Sequence, residues 1–133
     1  MQWTEAYRTG IPALDDQHKM LFQMSEDFQV VIAEGAGERS YGEFLRSLRL
    51  FVRAHFGAEE SCMLRLHCAA FDVNKRAHEG FSKAIAELEA RFERDGFSAI
   101  DAQAALEMVD RWLVEHIGRI DVQMLPLVEA GTS

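Results

Sequence analysis

The sequence predicts an all-α protein, an antiparallel up-down-up-down four-helix bundle preceded by an N-terminal arm. Three observations carry that prediction. Apolar side chains recur at helical spacing in four segments, a capping residue, glycine or proline bounds each segment, and no stretch alternates apolar with polar residues as a half-buried strand does. The 133 residues make one domain, able to bury about two thirds of its unfolded surface without covalent staples.

An arm over residues 1–14 leads into a first helix over about 16–34. There Asp15 is placed to cap the stripe His18, Leu21, Met24, Phe28, Val31 and Ile32, and GAG at 35–37 ends it. The second helix spans about 41–66. Ser40 with Glu43 reads as a capping box ahead of Phe44, Leu48, Phe51, Val52, His55, Glu59, Cys62 and Leu66. In the third, over about 73–94, Asp72 can cap the stripe Asn74, His78, Phe81, Ile85, Leu88 and Phe92, with Gly96 as the stop. Ser98 with Asp101 opens the fourth, over about 99–121, whose stripe Ala102, Ala105, Val109, Leu113, His116 and Ile120 runs on until Pro126.

A net charge of −8 with scattered Lys and Arg argues against nucleic acid or anionic lipid as a partner. No apolar run approaches the roughly 20 residues of a membrane helix, and the N-terminus lacks the pattern of a secretion signal. A cytoplasmic location is expected, with Cys62 and Cys68 as thiols.

In an antiparallel bundle the starts of the first and third helices lie beside the ends of the second and fourth. His18, Asn74 and His78 belong to the starts; His55, Glu59, His116 and Asp121 belong to the ends. All of these polar residues therefore meet at one end of one core. A buried carboxylate without a counter-charge costs more than a small domain can absorb, and no Lys or Arg shares the stripe near Glu59. A buried hydrogen-bond network is one solution. Divalent cations are the better one, because they satisfy carboxylates and neutral imidazoles together, and the donor set suits iron, manganese or zinc, in a pair. Asp121 follows His116 by five residues, which an undisturbed helix would turn about 140° away, so a distortion or helix end is expected near Gly118.

Trp3, GIPALDDQHKMLF at 10–22, HFGAEESCM at 55–63, HEGF at 78–81 and WLVEHIGRID at 112–121 resemble the hemerythrin family, in particular its single-domain bacterial members, over residues 1–133. That resemblance implies two iron ions joined by an oxo or hydroxo bridge. His18 and His55 would hold one iron, His78 and His116 the other, and Glu59 and Asp121 would bridge them. It also implies dioxygen as the ligand, with Leu21, Phe56, Trp112 and Leu113 as the apolar pocket beside it. Storage, delivery or sensing of oxygen would follow, without catalysis.

The chain departs from the family at one place: Asn74 stands where a third histidine for the second iron is expected. An amide oxygen is a weak donor beside an imidazole nitrogen, so a water held by Asn74 is expected there. His67 lies about 12 Å beyond Glu59 on a continued helix and reaches the site only if the next connection folds back. Cys62 and Cys68 read as cysteines without a ligand role. An open second position makes an enzyme of peroxide or nitric oxide chemistry the alternative function, and an incompletely loaded metal-handling or interaction module the second alternative.

Overall fold

A computed structural model describes residues 1–131. A short 3-10 turn at Glu5–Tyr7 interrupts the arm. Four long helices follow: α1 (Pro12–Ala33), α2 (Gly37–Arg65), α3 (Phe71–Asp95) and α4 (Ala99–Arg111). The last continues as a π-helical segment, Trp112–Ile117, then a 3-10 turn, Asp121–Gln123, and a final short helix α5 (Met124–Gly131). The connections are so short that consecutive helices run antiparallel, and the all-α four-helix bundle is as expected. No strand occurs, and no helix is long and apolar enough to cross a membrane, among the described residues.

Four of the expected boundaries differ. The first helix starts at Pro12, where proline at the first position sacrifices no hydrogen bond. Asp15 does not cap it: its Oδ1 accepts from the Thr9 N–H at 2.8 Å and the Thr9 hydroxyl at 2.9 Å, pinning the arm to the bundle. The Ser40–Glu43 box is not formed either, because α2 begins one turn earlier, at Gly37, directly after Gly35 reverses the chain at φ 78°. Tyr41, 1% exposed, packs there against Phe28 and Phe97, so core contacts override the local cap. Asp72 lies inside the first turn of α3, whose cap residue is Ala70. Ser98 does cap α4, accepting from the Asp101 N–H at 3.2 Å, and Gly96 stops α3 at φ 79°. Pro126 ends nothing; it sits in the first turn of α5, where its missing N–H is harmless.

The apolar interior has two parts. The larger includes Leu21, Phe28, Tyr41, Leu45, Leu48, Phe56, Phe81, Ile85, Val109, Leu113 and Ile117; the smaller holds Leu14, Cys62, Met63, Cys68, Ala70 and Met124. Along every leg of the bundle the two parts flank the same polar residues: His18 between Leu14 and Leu21, Glu59 between Phe56 and Met63, His78 between Ala70 and Phe81, His116 and Asp121 between Leu113 and Met124. A polar layer is thus enclosed by hydrocarbon on both sides.

Candidate metal centre

Each helix delivers part of this layer. Glu59 is at its centre, with no measurable exposure. Its Oε2 lies 2.9 Å from His18 Nε2 and 3.0 Å from His55 Nε2; its Oε1 lies 3.0 Å from His78 Nε2 and 4.0 Å from His116 Nε2. Asp121 faces it from the far side, Oδ2 3.3 Å from His18 Nε2 and Oδ1 3.2 Å from His116 Nε2. The π-helical segment explains how one leg supplies both His116 and Asp121. Its wider turn shifts the register, so that Leu113, His116 and Ile117 and then Asp121 all face inward. The distortion expected near Gly118 is this segment, which ends there.

These six residues form two overlapping groups, His18–His55–Glu59–Asp121 and Glu59–His78–His116–Asp121, each with its donor atoms within 4.8 Å of one another. Both carboxylates belong to both groups. The donor chemistry fits a pair of cations. His55 Nδ1 is 2.6 Å from Gln17 Oε1 and His78 Nδ1 is 2.8 Å from Glu60 Oε2, so in the neutral rings those nitrogens carry the hydrogen and each Nε2 presents a lone pair. The His55 lone pair then faces Glu59 Oε2 at 3.0 Å and the His78 lone pair faces Glu59 Oε1 at 3.0 Å, which repels unless something positive lies between them. His116 Nε2 and Asp121 Oδ1 are 3.2 Å apart, close enough for an ion pair, yet neither makes an aligned hydrogen bond although both are buried. The geometric mismatch is the more informative of the two facts: these atoms point at a common space, not at each other.

Electrostatics agrees. Burial opposes charge on His18, but the Asp121 and Glu59 carboxylates outweigh it and hold the ring up to about 9. Burial likewise opposes charge on His78, and Glu59 and Glu60 outweigh it, so that ring is raised as well. Burial alone would raise Glu59; hydrogen bonds from His18, His55 and His78 instead keep it well below the ordinary range. Without cations, protons on His18 and His78 serve as the counter-charge.

Asn74 is fully buried in the same layer. Its Nδ2 donates to Glu59 Oε1 at 3.0 Å and to Met63 Sδ at 3.2 Å, while its Oδ1 has no partner. His67 does not reach the site. It is exposed in the α2–α3 connection, in the left-handed region at φ 53°. Cys62 and Cys68 belong to the smaller apolar cluster and are free thiols outside both donor groups; Arg65 approaches the Cys62 sulfur at 3.1 Å.

Aromatic rings brace the imidazoles. Phe56 stacks on His78 with centroids 3.8 Å apart and planes 1° off parallel, and Trp112 stacks on His116 at 3.7 Å and 11°. Leu21 and Leu113 lie in the adjoining core. Sequence reasoning missed Gln17, Glu60 and Met63. The first two are immediate neighbours of ligand candidates in the chain, in DQH and EE, which is the one local signal they carry.

Residues 9–128 match the family described as the hemerythrin HHE cation binding domain. A bacteriohemerythrin of Methylococcus capsulatus is 31% identical over 131 residues, 98% of each chain, and a myohemerythrin of Sipunculus nudus is 29% identical over 90% of this chain and 86% of its own. A crystal structure of a hemerythrin point mutant superposes with a TM-score of 0.83 at 29% identity, covering 96% of both chains. Buried imidazoles and shared carboxylates thus sit in a matching sequence and a matching fold: the chain belongs to the hemerythrin family.

Proposed function

We propose that this protein holds two iron ions in the paired donor groups and binds dioxygen reversibly. One observation carries the reading: Glu59 and Asp121 each face imidazoles of both groups at 2.9–4.0 Å inside a layer shut off from water. When bound, two ferrous ions would supply the electrons for dioxygen uptake. The chain's residues do the rest. His18 and His55 would hold one ion and His78 and His116 the other, with Glu59 and Asp121 shared by both donor groups, while Gln17 and Glu60 fix the ring orientation of His55 and His78. Leu21, Phe56, Trp112 and Leu113 keep the neighbourhood apolar, which limits the proton supply that would turn uptake into irreversible oxidation. A reducing, cytoplasmic setting fits the free Cys62 and Cys68.

Iron content combined with optical spectra of the reduced protein, taken on exposure to oxygen and again after evacuation, tests this. Two irons per chain and a band that comes and goes with oxygen support it. Irreversible conversion to an oxidised form, or fewer than two irons, rejects it.

A further inference from the structure

We infer that Asn74 is not a cation ligand but a positioning residue for Glu59, and that the His78–His116 position consequently keeps a coordination place of its own for a small diatomic ligand. The inference rests on the paired-iron reading and extends it to the second cation.

The amide orientation comes first. Asn74 Nδ2 lies between two acceptors, Glu59 Oε1 at 3.0 Å and Met63 Sδ at 3.2 Å. Turned over, the amide would put its oxygen against a carboxylate oxygen and a thioether, with no hydrogen between them. The N–H therefore belongs where it is, on the oxygen of Glu59 that faces His78. The nitrogen thus positions the shared carboxylate, and the oxygen, through which an amide would ligate, is a weak neutral donor beside an imidazole nitrogen. That Oδ1, fully buried and without a hydrogen-bond partner, is left as the acceptor for a hydrogen-bonding group that enters the layer.

Among the described residues no other side chain completes the second position. The imidazoles divide evenly, two in each donor group. His78 and His116 are clamped by Phe56 and Trp112. His67 is exposed in the connecting loop, and Cys62 and Cys68 are outside the donor groups. Both cation positions therefore offer the same protein donors, two nitrogens and a share of two carboxylates, and both remain open to an incoming ligand.

Nitric oxide is the probe, because it binds ferrous iron end-on at an open position. After the iron content has been measured, the reduced protein is titrated anaerobically with nitric oxide beside Asn74→His and Asn74→Leu variants. The unaltered chain and Asn74→Leu should each take up two equivalents per chain, whereas Asn74→His should take up one, a twofold drop. Asn74→Leu removes the hydrogen bond to Glu59 without adding a ligand, so its iron should exchange into a chelator faster, by about 10-fold or more, with the uptake unchanged. One equivalent in the unaltered chain with two in Asn74→Leu would make Asn74 itself a ligand and overturn the inference. One equivalent in all three would overturn it as well. Fewer than two irons in the unaltered chain would instead remove the functional reading and this inference together.

Discussion

Glu60 Oε2 lies 2.8 Å from Nδ1 of His78, directly behind the imidazole nitrogen that faces Glu59. The contact makes one acid orient the ring that the neighbouring acid in the chain confronts. A carboxylate behind a ligating ring fixes its tautomer and raises its basicity.

Replacing Glu60 by Gln keeps the shape and removes the charge. Metal affinity at the His78 position should fall about 10- to 100-fold, with the helical content unchanged. A competitive chelator titration reads the loss, and equal affinities in the two proteins would discard the role of Glu60.

Glu59 serves both donor groups, so its loss should empty both. Glu59→Gln should hold fewer than one metal ion per chain after loading under conditions that give the unaltered protein its full complement. Elemental analysis checks this. A variant that still loads one position fully would show that Asp121 alone suffices there.

The metal-free protein should have a stability profile set by His18, Glu59 and His78, whose raised ring acts in the same direction as His18. The raised His18 contributes stability that is complete below 6.5 and disappears as pH rises through about 9. The depressed Glu59 contributes stability present above 4.5 and lost as pH falls through its lower folded value. Cation-free protein should therefore be most stable at about 4.5 to 6.5 and weaken toward 9. Metal ions need neutral imidazoles, so the stabilisation they confer should grow over the same rise. Melting temperatures with and without chelator measure the gap; a gap that narrows from pH 6.5 to 9 contradicts the assignment.

Gly118 ends the π-helical segment where a side chain has no room. A Cβ there would collide with the Val114 carbonyl and come within 3.2 Å of the Tyr7 ring. Gly118→Ala should destabilise the fold by about 1–3 kcal/mol and displace Asp121, lowering metal retention along with the melting temperature. A variant as stable and as fully loaded as the parent would mean that Asp121 is placed by something other than this tight ending.

The four bundle helices, their antiparallel order and the polar layer were all legible along the chain, because periodicity assigns each side chain to a face and bundle geometry decides which ends meet; the short α5 was not. Five of the donor candidates were named from their places on apolar stripes and the family likeness, and Asp121, off the stripe, from its place at a helix end and that likeness; the structure gathers all six. Capping was the weakest reading. Asp15, Ser40 and Asp72 have capping chemistry, but buried Tyr41 and the Thr9–Asp15 pairing decided where helices begin, since tertiary contacts outweigh a cap worth about 1 kcal/mol. Only the folded arrangement shows that Gln17 and Glu60 stand behind imidazoles, that Met63 and Glu59 share the Asn74 amide, and that His67 stays outside. Periodicity says which way a residue points along its own helix; it does not say what another helix puts in front of it.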